Sequence, residues 1–221
     1  MTAVDLTALL GDLDDAVKVE VASTPEVFDK GGNLDVEALP ITARKWHTLN
    51  DAVAVVADLK NSTKLGTGKW AASTASIYKA STGGVVSIFD QFDADFLAIQ
   101  GDDAFALFWG ERRYERALYS AITIKTFSRD MVERLEKKWD DLPETGFKVG
   151  IASSRLLAKR IGTPRNPAQQ EPVWAGKAVN YATKAAQGPT ATSWSSLAAC
   201  GTSSRRTTTW RSAARAGAGR V

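Results

Sequence analysis

Ala54-Val55-Val56-Ala57-Asp58-Leu59-Lys60-Asn61-Ser62-Thr63 is answered further along the chain by Phe96-Leu97-Ala98-Ile99-Gln100-Gly101-Asp102-Asp103-Ala104-Phe105. Both are apolar, strand-like runs that end in an acidic residue beside a tight turn. The unbroken apolar run from Ala52 to Ala57 suits a strand buried on both faces, so Asp58 is delivered to the edge of a core. A carboxylate there needs a partner. Gly101-Asp102 lies between two apolar runs, as in a hairpin, and carries a second carboxylate to the end of a neighbouring strand. Two carboxylates at adjacent strand ends suit a hard divalent cation. Asp103, next to Asp102, is expected to point to the opposite side, as a supporting or solvated residue.

The chain has 221 residues, 44% of them hydrophobic, enough for one sizeable core with appendages. Its net charge is +3, but residues 188–221 hold five Arg and no acidic residue, leaving 23 basic against 25 acidic residues in the rest. That slightly acidic body gives no case for a nucleic-acid partner. One cysteine, Cys200, excludes a disulfide framework and a Cys-rich zinc site, and the lone His47 removes most imidazole chemistry. Carboxylates, amides, hydroxyls and cations remain. With no apolar run of ~18 residues and no basic-then-apolar leader, the chain reads as cytoplasmic, with no membrane partner.

Residues 3–17 show helical spacing of Val4, Leu6, Leu9, Leu10, Leu13 and Val17, a helix expected to cover an exposed end of the core or to dimerise. Residues 24–43, with Pro25, Gly31-Gly32 and Pro40, read as a connecting loop. Helices are expected over 70–92 and 111–139. In the first, Gly83-Gly84 marks a kink or a close backbone approach, because each glycine costs about 1 kcal/mol relative to alanine. Residues 147–152 read as a strand, 156–161 as its short partner and 162–172 as a surface loop. A helix then opens at Val173-Trp174-Ala175-Gly176 and runs to about Gln187. Strand, helix, hairpin, helix, strands and helix make an α+β, ferredoxin-like arrangement. Residues 46–187 would form the catalytic domain after a helix and linker over 1–45. From Gly188 the composition turns to Ser, Thr, Ala, Arg and Gly and resembles a translated wrong reading frame, an aberrant low-complexity tail that cannot bury enough surface to order itself.

Ala57-Asp58-Leu59 with Ser62-Thr63, then Gly101-Asp102, Val149-Gly150-Ile151 and Gly176-Lys177-Ala178-Val179-Asn180-Tyr181-Ala182, resemble the ordered motifs of class III nucleotidyl cyclases. The likeness covers about residues 46–187 and is nearest to the pyrimidine cyclases of Pycsar antiphage defence. It implies attack of a ribose 3′-hydroxyl on the α-phosphorus of a nucleoside triphosphate, a reaction that needs positioning and charge neutralisation. Asp58 and Asp102, with Leu59 beside them, would hold two Mn²⁺ or Mg²⁺ ions. Backbone amides from Leu59 to Thr63, with Asn61, Ser62 and Thr63, would receive phosphate oxygens. Asn180 and Lys184, four apart on one helix face, match the family's transition-state Asn and Arg. Lys184 replaces the Arg with a point charge that lacks the bidentate fork. The resemblance also implies a homodimer with active sites at its interface.

The family's adenine-reading Lys and Asp positions are filled here by Ala98 and Val173. A purine edge facing them would lose its partners at ~1–3 kcal/mol per group, so a pyrimidine, UTP ahead of CTP, follows from the resemblance. Arg44, Trp46 and Phe96 are further candidates for contacting the base. A cytidylate or adenylate cyclase, and a catalytically dead binding module, remain open readings.

Overall fold

The structure is a computed structural model that describes residues 4–41, 44–67, 69 and 71–188. The tail expected to be aberrant therefore lies, from residue 189 on, outside the described residues. Helix α1 (Leu6–Val21) and strand β1 (Glu26–Asp29) precede β2 (Lys45–Leu59), the short α2 (Ser62–Leu65) and α3 (Ala71–Gln91). The hairpin β3 (Phe96–Gln100) and β4 (Asp103–Phe108), then α4 (Arg113–Glu136), β5 (Phe147–Gly162), β6 (Gln170–Gly176) and α5 (Lys177–Gln187) complete the order.

The sheet runs β3-β4-β2-β5-β6, with β1 alongside the start of β2. Taken alone, β2, α3, β3, β4, α4 and β5 are the βαββαβ of the ferredoxin-like fold in its own strand order. Strand β2 is the spine, antiparallel to β4 over Val53–Ala57 and to β5 over most of its length.

Both faces of β2 are covered, as its continuous apolar run requires. Val53, Val55, Ala57 and Leu59 pack with Phe89 of α3, Ile124 of α4 and Phe147, while Ala52, Ala54 and Val56 pack under Ala178, Ala182 and Ala186 of α5. Each large apolar side chain so enclosed contributes about 1.5–3 kcal/mol. Two close approaches depend on glycine. A Cβ on Gly84 would enter the Phe127 ring of α4, so the close approach expected there is present. A Cβ on Gly150 would meet the Ala182 carbonyl oxygen, so the backbone of α5 lies directly on β5.

Four expectations are corrected. Residues 156–161 are not a second strand but the continuation of the sixteen-residue β5. Val173 to Gly176 belong to β6, and the helix begins only at Lys177; β6 lies at the sheet edge, where Pro172 is tolerated because no partner needs its missing N–H. The supposed loop at 24–43 contains β1, paired parallel to β2 through Glu26–Lys45 to Asp29–Thr48. Helix α1 covers no end of the core, since none of its residues is buried.

Candidate active site

Strand register gathers charge at one end of the sheet. Ala57 pairs with Ala104, which sets Asp58 beside Asp103, and Asp58 pairs with Lys148 on the other flank. Cross-strand neighbours project to one face. By the alternation Val56, Asp58 on β2 and Asp103, Phe105 on β4, that face is the one α5 covers further along. Asp58 is only 16% exposed, and its ion-pair partner, Lys148 Nζ, stands 4.0 Å away. Burial pushes the Asp58 carboxyl above its usual range, against the pull of Lys148 and with the charge of Asp102 adding to it. Asp103 is pushed up to about 6, first by burial and then by the charges of Asp58 and Asp102. It accepts a hydrogen bond from the Leu59 N–H, which opposes part of that rise. Asp102 itself occupies the hairpin turn after Gly101, whose φ is +68°, and its carbonyl accepts from Thr82 Oγ1 of α3 at 3.3 Å.

Asp103 is thus neither solvated nor turned away from the other acids, as expected of it; it is the strand residue set directly across from Asp58. Its even spacing with Phe105 and Leu107 carried that signal, since all three then share a face. Lys148 was missed because nothing in Phe147-Lys148-Val149 shows which residue of β2 it will face.

Among the described residues, no three acidic, His or Cys groups converge closely enough to form a ready-made metal cage. The donor set nevertheless fits a hard divalent cation. Burial first, and neighbouring acids second, hold the Asp58 and Asp103 carboxyls above their usual range despite Lys148, and a magnesium-type site commonly takes one or two carboxylates and completes its shell with water and substrate phosphate. Leu59 could join such a shell only through its carbonyl, because its N–H is given to Asp103.

The turn after β2 is pinned from the loop before β5. Lys60 N–H donates to Gly146 O at 3.0 Å, Thr145 Oγ1 donates to Lys60 O at 2.9 Å, and Asn61 Nδ2 donates to Glu144 O at 2.7 Å. The phosphate nest expected from Leu59 to Thr63 is therefore narrower. The amides of Leu59 and Lys60 already have acceptors, and the Asn61 side chain is committed to the loop while its backbone takes φ +57°. Ser62 and Thr63 open the four-residue α2.

On α5, Ala178, Ala182 and Ala186 are buried while Asn180 and Lys184 are exposed. Two residues of helix turn through ~200°, so Asn180 and Lys184 sit on the side opposite the alanine stripe, pointing away from their own sheet. They do not meet Asp58 and Asp103 within one chain.

A cleft of about 290 Å³ lies beside the acids, lined among others by Val56, Gln100, Asp103, Phe105, Val173 and Trp174. Of the expected base contacts, Val173 lines it, Ala98 pairs with Phe105, and Phe96 packs on Phe105 and Trp174 at centroid distances of 5.8 and 5.0 Å. Arg44 and Trp46 do not belong with them. Trp46 pairs with Val27 at the other end of β2, about twelve residues and ~40 Å from Asp58. Arg44 instead holds the end of α1, donating to Glu20 O at 2.8 Å and Ser23 O at 2.6 Å. Reading a strand start near Trp46 did not reveal that the strand runs unbroken to Leu59.

No family model matches the chain. Its architecture is that of class III nucleotidyl cyclases. The crystal structure of a class III adenylyl cyclase-like ATP-binding protein from Pseudomonas aeruginosa matches with a TM-score of 0.60 at 15% identity, over 79% of this chain and 39% of that one. The adenylyl cyclase CyaB from P. aeruginosa matches with a TM-score of 0.57 at 12% identity, over 64% of this chain and 73% of that one. By sequence, the chain is 69% identical over 188 residues to a uridylate cyclase of Micromonospora echinofusca, covering 85% of this chain and 61% of that protein. It is 53% identical to a uridylate cyclase of Propioniciclava tarda (82% and 60%) and 30% identical to one of Burkholderia cepacia (80% and 76%). The chain belongs to the uridylate cyclase family. It spans about three-fifths of the length of the Micromonospora and Propioniciclava relatives.

Proposed function

We propose that this chain is the catalytic part of a metal-dependent uridylate cyclase, converting UTP to 3′,5′-cyclic UMP and pyrophosphate. The observation that carries the reading is the crowding of Asp58, Asp102 and Asp103 at one sheet end with a single ion-paired Lys148 beside them, an excess of negative charge that calls for cations. Asp58 and Asp102, with the Leu59 carbonyl, would hold two Mn²⁺ or Mg²⁺ ions, which supply charge neutralisation for the triphosphate and a lower pKa for the ribose hydroxyl.

The ribose 3′-oxygen forms its bond to the α-phosphorus as the bond from that phosphorus to the α,β-bridging oxygen breaks. Pyrophosphate leaves with the electron pair, and the hydroxyl proton passes to solvent. Asn180 orients the ribose and Lys184 meets the charge growing on the α-phosphate. Ser62 and Thr63 receive phosphate oxygens. Because Asn180 and Lys184 face away from their own acids, a complete site takes the acids of one copy and α5 of another. Residues 46–187 supply both halves. By the resemblance to the Pycsar enzymes, the cyclic nucleotide serves as a cytoplasmic second messenger in antiphage defence.

Base choice rests on Ala98 and Val173, which offer a purine edge no polar partner, and on the small aromatic-walled cleft beside them. With UTP and ATP competing in one Mn²⁺ reaction, cyclic UMP is expected to exceed cyclic AMP by at least about fivefold, the lower end of the ~1–3 kcal/mol of one unpaired polar group. Mass analysis of the products measures the ratio. A dominant cyclic AMP product rejects the pyrimidine reading, dominant cyclic CMP in a CTP arm moves it to cytidylate, and no cyclic product with any triphosphate leaves a binding module.

A further inference from the structure

Helix α1 is amphipathic yet buries none of its residues against its own chain. Leu6, Leu10, Leu13 and Val17 are 66%, 64%, 53% and 59% exposed. Their spacing of four, three and four is the alternating seam of a two-stranded coil. A lone sixteen-residue helix is marginally stable in water, so a seam this apolar needs a cover. The helix is also aimed, not loose. Asp5 caps its first turn, accepting from the Thr7 and Ala8 N–H groups, and Arg44 fixes its far end through Glu20 and Ser23.

Three covers can be weighed. A membrane surface is disfavoured, because the helix carries Asp12, Asp14, Asp15 and Glu20 against Lys18 alone, and anionic lipid repels such a helix. An unrelated protein held by α1 alone would bury less than the ~1,200 Å² of a stable interface. The partner must therefore touch this chain elsewhere too, and the split site, on whose reading this step rests, supplies one: a second copy. The seam is self-complementary, as a two-fold contact requires. Beside these four residues only Asp14 is charged, and it is paired within its own helix to Lys18 at 2.6 Å; the next seam step, Glu20, is paired to Arg44 at 3.3 Å.

We propose that α1 packs seam to seam against α1 of a second copy and clamps the dimer in which the active sites form. The full chain with Leu10→Ser and Leu13→Ser together should dimerise at least about tenfold more weakly by sedimentation equilibrium, the effect of removing two central apolar anchors. The melting temperature of the dilute monomer should change little, because neither side chain is buried in its own chain. Independently, Leu13→Cys in a Cys200→Ser background should be joined copy to copy by a short bis-maleimide. An unchanged dimer constant, a lowered monomer melting temperature or no cross-link in the dimer would each overturn the proposal. The cyclase reading fails separately, through absent cyclic nucleotide from a chain that still cross-links through α1.

Discussion

Asp103 is the residue at which the sequence and the structure part most sharply. Alternation from Asp102 turned it away, but Asp102 occupies a turn and Asp103 opens the strand, so the alternation that counts runs from Asp103 through Phe105. Which turn residue ends a hairpin is set by strand register, and register depends on a partner that the local sequence does not name. Its consequence is a pH effect on stability in metal-free protein. The folded carboxyl titrates near 6 against an ordinary value of 3.8, so between those values the folded state holds a proton that the unfolded chain has released. The contribution is fully present below about 3.8 and is lost as pH rises through about 6. Asp103→Asn, which removes the charge while changing little volume, should therefore raise the melting temperature relative to the parent above pH 6 and lose that advantage near pH 4. Thermal melts in chelator across this range check it; a difference that grows toward acid contradicts the assignment.

At the scale of elements, long periodic segments were legible and short apolar ones were not. Helices α3 and α4 fall within a few residues of their expected bounds, since several turns of helical spacing are hard to mimic. Val173-Trp174-Ala175-Gly176 reads equally as strand or helix start, and only pairing with Lys159 to Leu156 of β5 decides for strand. The packing of α5 was invisible for a similar reason: Gly150 looks like any strand glycine until Ala182 is found lying on it. Gly150→Ala must push α5 off the sheet, because the atom in the way is a backbone carbonyl and not a side chain that can rotate. The cost should be about 1–3 kcal/mol in a denaturant melt, as for other overpacked cores. Gly83→Ala, whose added methyl meets only the far end of Lys79, should instead gain up to about 1 kcal/mol from helix propensity. Equal effects at the two glycines would refute the close contact of α5 with β5.

For the whole molecule, the carboxylates and the Asn180–Lys184 pair were both recognisable as motifs, but no local pattern shows that one chain aims them apart. That follows from the alanine stripe of α5, which commits its other side to the outside. If two copies share each site, Asp58→Asn and Asn180→Ala proteins are each inactive alone, since every site in either homodimer carries one lesion. Mixing them with free subunit exchange makes about half the dimers mixed, and in those a two-fold arrangement puts both lesions in one site and none in the other. Roughly a quarter of parental cyclic nucleotide production should return, by that count of sites in a closed dimer. A site held within one chain has no route to recovery, because each chain then keeps its own lesion. No recovery despite exchange shown by differently labelled subunits would reject the shared site. Recovery far above about a quarter would require unlike copies to pair preferentially, since random mixing gives that fraction in any two-fold or head-to-tail assembly.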